Sequence, residues 1–233
     1  MSNATQSLAG TRITSLLDAN SFVEIGQSVT ARSTDFNMAA NKAPSDGVIT
    51  GYGVIDDKLV YVYSQDASVL NGTIGEMHAK KIVRLYELAM KTGAPVIGLV
   101  DCAGFRLQEA TDALNAFGEI YAKQVAASGV IPQITGIFGT CGGGLAVMPG
   151  LTDFTFMEEK KAKLFVNSPN ALDGNEISKC DTSSAKYQSE ESGLADVTGS
   201  EDEIIAKMRE LVSLLPSNYE DNSAYVECTD DLN

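Results

Sequence analysis

Basic residues are scarce in this chain. Its 233 residues hold 17 Lys plus Arg against 31 Asp plus Glu, a formal net charge of −14. Such a deficit argues against nucleic acid or an anionic membrane as the main partner, because both require a basic face. Close cysteine pairs are also missing. Cys102, Cys141, Cys180 and Cys228 stand far apart, so no structural zinc is expected. Met1 to Gly10 has neither the basic start nor the apolar core of a secretory signal, so a disulfide framework is not expected either. Gln124 to Thr152 carries no charge, but its seven glycines and two prolines, Pro132 and Pro149, do not make a spanning helix. The expected location is cytoplasmic, with reduced thiols and no transmembrane segment.

What is present is a globular composition, 44% hydrophobic. Val48 to Ile55 and Leu59 to Ser64, separated by Asp56-Asp57-Lys58, read as a β-hairpin. Thr73-x-x-Glu76 reads as a capping box, followed by Ile82, Leu85, Tyr86 and Ala89 at helical spacing and closed by Gly93. Pro95 to Val100 and Ile131 to Phe138 are continuous apolar runs, hence buried strands. Between them Leu114, Phe117, Tyr121 and Val125 mark the apolar face of a second helix, and Gly142-Gly143-Gly144 opens a third. Phe154 to Met157 and Leu164 to Val166 suggest short strands, Lys179 to Gly193 an exposed helical excursion. Ser200-x-x-Glu203 caps a last helix that Pro216 ends. A hairpin followed by alternating strands and helices predicts an α/β layered domain rich in parallel sheet. Residues 1–215 form that domain, and 216–233, with five acids and no base, an acidic tail or linker.

Two segments place glycine and small residues directly after a buried strand: Leu99-Val-Asp-Cys-Ala-Gly-Phe-Arg-Leu-Gln-Glu109 and Ile137-Phe-Gly-Thr-Cys-Gly-Gly-Gly-Leu145. Backbone N–H groups at such turns point outward without partners, and glycine allows a ligand close approach. Two such turns facing one point make an oxyanion hole; taken singly, each glycine run is a tight turn and no more. His78, the only histidine, is a capping or packing residue by default. Cys141 at a helix N-terminus would gain thiolate character, which keeps a Cys141–His78 nucleophile pair open beside the reading of Cys141 as a packing residue. Lys160, Lys161 and Lys163 form a basic cluster suited to solvent or to an anionic ligand. Metal-ligand spacings, a P-loop and a dinucleotide fingerprint are all missing.

The run Gly47-Val-Ile-Thr-Gly-Tyr-Gly-Val-Ile55, with Tyr61 to Asp66, Gly93 to Leu99, Ala127 to Ile134 and Leu151 to Met157, resembles the carboxyltransferases of biotin-dependent carboxylases and decarboxylases, in order from about Val23 to Leu215. The resemblance implies a crotonase-like ββα superhelix and corresponds to the N-terminal, acyl-CoA-binding half only. Glu227 to Asp231 is similar to the linker before the C-terminal half, and the start at Met1 with self-contained helix ends favours one subunit of a split enzyme. The implied cofactor is biotin on a separate carrier protein, the substrate a coenzyme A thioester, with no metal. The implied partners are a C-terminal-half subunit and the biotin carboxyl carrier, in a homo-oligomeric assembly. In the implied mechanism biotin, not a side chain, is the base.

Carried over by position, the family's Asp-Ser-Gly-Gly-Ala-Arg stands here as Asp101 to Arg106, departing at Cys102, Ala103 and Phe105. Its Gly-Pro-Cys-Ala-Gly-Gly stands as Gly139 to Gly144. The resemblance thus places the thioester oxyanion hole at N–H groups around Ala103-Gly104 and Gly142-Gly143. It puts Phe105, Arg106, Cys141 and Gly144 at the substrate, Phe105 narrowing the acyl pocket. Tyr52 occupies a position where many members carry arginine. The competing expectations are a self-sufficient crotonase-type hydratase or biotin-independent decarboxylase using Glu109, a thiol hydrolase using Cys141 and His78, and a non-catalytic assembly subunit.

Overall fold

The computed structural model describes residues 7–32, 35–36, 43–222 and 228–230. The ends of the expected linker, Glu227 and Asp231, lie outside them. The chain runs α1 (Leu8–Leu16), β1 (Val23–Ile25), β2 (Val48–Ile55), β3 (Lys58–Gln65), α2 (Glu76–Thr92), β4 (Val96–Cys102), α3 (Ala110–Ala127) and β5 (Gln133–Gly142). It continues through α4 (Val147–Gly150), β6 (Phe154–Glu158), β7 (Lys163–Phe165), α5 (Ala185–Glu190), β8 (Val197–Gly199) and α6 (Glu201–Leu214).

The strands form one sheet in the order β1-β2-β3-β4-β5-β6-β8, and β7 pairs with the far end of β5. The β1–β2 and β2–β3 pairs are antiparallel and the remaining pairs parallel. Asp56 and Asp57 carry φ of 48° and 65°, the two left-handed positions that a tight hairpin turn requires. Alternate residues of β4 serve opposite faces. Val96, Val100 and Cys102 join the core under α2 and α3, whereas Ile97 and Leu99 join the core under α1 and α6. The result is a central sheet between two helical layers, as the alternation of elements predicted.

Several local expectations need correction. Residues 73–76 do not form a capping box: α2 starts at Glu76 after the N-cap Gly75, and the Glu109 carboxylate accepts the Glu76 N–H at 2.6 Å. Acid from a distant segment replaces the local cap. The apolar face of α3 is rotated. Leu114 and Val125 are exposed, while Ala113, Ala116, Phe117, Ile120 and Ala127 are buried, because small residues allow α3 to lie close to its neighbours. Helix α1 and strands β1 and β8 were not among the expected elements. After α6 the acidic segment is still tied down: Tyr219 N–H donates to Val130 O, and the Asn218 amide to Gly93 O. The Ser200–Glu203 capping box is present with both of its bonds.

Glycines inside the sheet mark places where side chains cross. A β-carbon at Gly98 would collide with the Tyr63 ring, and one at Gly136 with the end of Met208. The buried Tyr63 ring cannot retreat, whereas a methionine terminus can. Gly98→Ala is therefore expected to lower unfolding free energy by about 1–3 kcal/mol, and Gly136→Ala by less than half of that. Denaturant unfolding of the two variants checks the order, and equal losses would contradict it.

Candidate active site

Strands β4 and β5 are parallel neighbours; Val100 pairs with Ile137, and past a register shift Cys102 pairs with Cys141. Both strands therefore release the chain at the same edge. The first turn, Ala103 to Arg106, follows β4. The second begins at Gly142, the last residue of β5, and continues into a single 3-10 turn over Gly143–Ala146. A β-carbon at Gly104 would stand 4.0 Å from the Gly142 carbonyl oxygen, so the two turns face each other at van der Waals distance. Ala103 and Gly144 are exposed, Gly142 and Gly143 half-buried. The third helix expected to open at Gly142-Gly143-Gly144 is the four-residue α4, which follows the 3-10 turn.

The donors are not equivalent. The Ala103 N–H is spent on Asn71 O at 3.0 Å and the Arg106 N–H on Ile74 O at 2.8 Å. The Ala103 N–H expected in the oxyanion hole is thus committed to the scaffold. The Gly104 N–H meets only a weak acceptor, the Cys102 sulfur, at 3.3 Å. In the second turn Gly143 and Gly144 open the 3-10 turn, where N–H groups lack acceptors within the turn itself. Gly143 has φ of 64° and nothing within 4 Å of its missing β-carbon. Gly142 is the opposite: a β-carbon there would press to 2.7 Å of Phe165 Cζ on β7. Phe165 gives no sequence signal for this role, since only the β5–β7 pairing brings it there.

Arg106, expected at the substrate, is 1% exposed and faces inward. Its guanidinium bonds Asp46 at 2.6 Å, Glu109 at 2.8 Å and the Thr73 carbonyl at 2.8 Å. Glu109 is buried between Arg106 and the start of α2, so it is not poised as an acid in an open pocket. Asp101 bonds Arg12 at 3.1 Å. Cys141 is fully buried, its thiol directed at Leu145 O, and burial, with Cys102 beside it, pushes its pKa well up. Burial also pushes the Cys102 thiol up to about 12. The thiolate expected at a helix N-terminus is disfavoured here.

His78 does not meet Cys141. Its backbone N–H donates to the Asp46 carboxylate at 2.7 Å, Nδ1 lies 2.9 Å from Asp46 O, and Nε2 lies 3.2 Å from the Gln65 amide nitrogen. This is the packing role, and it removes the thiol-hydrolase reading. Phe105 is half-buried against the core under α2 and α3. Tyr52 is on the hairpin against Tyr61, with ring centroids 5.8 Å apart. Lys160 and Lys161 are exposed at the β6–β7 turn, and Lys163 pairs with Asp181 at 2.5 Å.

Burial holds the His78 pKa well below its ordinary value, with Arg106 and Lys81 acting in the same direction. The unfolded chain then takes up this proton first. The stabilisation is complete above the ordinary histidine pKa and is lost as pH falls toward the folded value. Unfolding free energy is expected to fall between about pH 7 and pH 5 while the single histidine's ring NMR signals stay at their neutral positions. A ring that titrates in the folded protein within this window would contradict the assignment.

The sequence matches the carboxyl transferase domain family over residues 3–233. It is 43% identical over 224 residues to methylmalonyl-CoA decarboxylase subunit alpha of Veillonella parvula, covering 94% of this chain and 44% of that protein. It is 42% identical over 211 residues to the propionyl-CoA carboxylase beta chain of Roseobacter denitrificans, covering 89% of this chain and 41% of that protein. Among solved structures, transcarboxylase 12S with methylmalonyl-CoA and methylmalonic acid bound superposes with a TM-score of 0.91 at 33% identity, covering 98% of this chain and 46% of that one. The chain thus spans less than half the length of these relatives.

Proposed function

This chain belongs to the carboxyl transferase domain family, and on that premise we propose that it is the acyl-CoA-binding half of a biotin-dependent carboxyltransferase. The crotonase-like α/β fold expected from the sequence is the fold of its structural relatives. The reaction moves a carboxyl group between carboxybiotin and the α-carbon of a short acyl-CoA. Acyl groups of that size appear in the names of the relatives, methylmalonyl and propionyl. The observation that carries the proposal is the pair of facing glycine turns on neighbouring parallel strand ends, where Cys102 pairs with Cys141, with Gly104 on one turn and Gly143 and Gly144 on the other.

Biotin, when bound, supplies the carboxyl group and the base. The site fits that division of labour. Glu109 and Asp101, the carboxylates flanking the first turn, are both engaged by arginine, and the nearby thiols are buried and protonated. The chain's own part is to hold the thioester carbonyl against the N–H groups of the two turns. Charge developing on that oxygen as the α-proton leaves then meets dipoles already in place. A carboxyltransferase C-terminal-half subunit and a biotin carboxyl carrier protein complete the enzyme in an oligomeric assembly.

Supplied with those two partners, the chain is expected to transfer carboxyl groups to or from acetyl-, propionyl- or methylmalonyl-CoA only when the carrier is biotinylated. Equal turnover without biotin would overturn the proposal and favour the self-sufficient crotonase-type reading. Glu109→Gln separates the two further. It keeps an acceptor for the Glu76 N–H but removes a charge facing Arg106. Stability should fall by about 1–3 kcal/mol while carboxyl transfer stays within roughly threefold. A loss of a hundredfold or more in a folded variant would identify Glu109 as a general acid.

Gly143 tests the turn itself. Its left-handed backbone makes valine there strained as well as obstructive, so Gly143→Val confounds two effects. Asparagine tolerates that conformation and sends its side chain into the open space. Gly143→Asn should fold, with a stability loss below about 1 kcal/mol, and lose carboxyl transfer by roughly a hundredfold. Steady-state kinetics alongside thermal unfolding reads both quantities, and near-normal turnover would make the turn merely structural.

A further inference from the structure

Tyr121 donates its hydroxyl hydrogen to the carbonyl oxygen of Gly144. Read as one of the apolar positions of α3, it is half-buried, with its hydroxyl set against the second turn. A β-carbon at Gly144 would come within 3.2 Å of that oxygen, so the phenol rests against the turn's own α-carbon. The ring is braced by Phe117, with centroids 5.8 Å apart, and Phe117 is itself buried in the core. Burial, with Cys141 beside it, raises the phenol pKa, which keeps it a donor.

Within the second turn, the Val147 N–H closes the 3-10 bond onto the Gly144 carbonyl. Gly142, Gly143 and Gly144 are consecutive glycines, the residue type with the largest backbone freedom to lose. Gly143 touches nothing at its missing β-carbon, and Gly144 is exposed. Donors that stabilise a developing charge must be aimed beforehand. Gly142 is held by Phe165, and at the other end the Gly144 carbonyl accepts both the Val147 N–H and the Tyr121 hydroxyl. Helix α3 itself begins directly after the first turn, past one 3-10 turn at Leu107–Glu109. One rigid element therefore leaves the first turn and grips the second.

We propose that Tyr121 is a positioning residue for carboxyl transfer: its hydroxyl fixes the Gly144 carbonyl and so aims the N–H groups of Gly143 and Gly144 at the thioester oxygen. The catalytic part of this inference rests on the carboxyltransferase reading, whereas the grip on the turn does not. The hydrogen bond ends on an exposed glycine, where water replaces a lost hydroxyl at little cost to folding. Tyr121→Phe therefore separates positioning from stability.

In the assembled enzyme, with the C-terminal half and biotinylated carrier, Tyr121→Phe is expected to lower kcat about tenfold, with KM for the acyl-CoA changing less than about twofold. The melting temperature should stay within about 3 °C. Amide hydrogen exchange at Val147, whose N–H donates to the Gly144 carbonyl, should quicken while the body of α3 keeps its protection. Unchanged kcat with unchanged exchange overturns the proposal, and so does a kcat loss matched by a large drop in melting temperature. Should the wild-type assembly transfer no carboxyl groups at all, the carboxyltransferase reading fails and hydrogen exchange alone judges the grip. Faster exchange in the variant then supports it, and equal exchange overturns it.

Discussion

The Arg106 guanidinium holds the first turn in place. It is 1% exposed, and a charge so placed survives only when paired and fully bonded. Its partners come from three separate parts of the chain: Asp46 before the hairpin, Thr73 before α2 and Glu109 before α3. Two of these partners perform a second task. Asp46 takes the His78 backbone N–H, and Glu109 takes the Glu76 N–H at the start of α2. Asp46 has its carboxyl pKa raised, because desolvation outweighs the attraction of Arg106. The cluster thus depends on the order around it, and removing one member strands charge on the others.

The sheet provides the second constraint. Parallel strands β4 and β5 end at the same level because a register shift after Val100–Ile137 sets Cys102 opposite Cys141, so the turns that follow meet without any long side chain reaching between them. Position comes from the ladder and small size from glycine. The thiols of Cys102 and Cys141 lie beneath the turns, buried and protonated, and act as packing. The proposed oxyanion hole would stabilise charge on a carbonyl oxygen through backbone N–H groups rather than through a nucleophile or base.

How much of this could be read from the sequence followed the range of the interactions. The hairpin, the two buried central strands and the Ser200 capping box were legible because each is written in a few neighbouring residues. The two glycine turns were legible because each is a short run of small residues joined directly to an apolar strand. The cap of α2 was not, since the acid that fills it lies 33 residues away at Glu109. The face of α3 was misread because leucine and valine carried more weight than the alanines that set the packing distance. Arg106 was found by its motif and misplaced by its chemistry. A cation near an acyl-CoA site suggests a ligand contact, and only the positions of Asp46 and Glu109 turn it inward.

A site built from backbone donors divides its tolerance unevenly. At Ala103 the side chain matters little, because the N–H is committed to Asn71 and a methyl group does not alter that bond. Backbone direction is another matter, and it is fixed by residues outside the glycine runs. Arg106 anchors the chain leaving the first turn, Phe165 closes over Gly142, and Tyr121 holds the Gly144 carbonyl. A motif comparison weights the glycines, whereas the physical dependence runs to these three larger side chains. Changes in the shape of the proposed thioester cradle are thus to be sought first at Arg106, Phe165 and Tyr121, two of which no motif singles out.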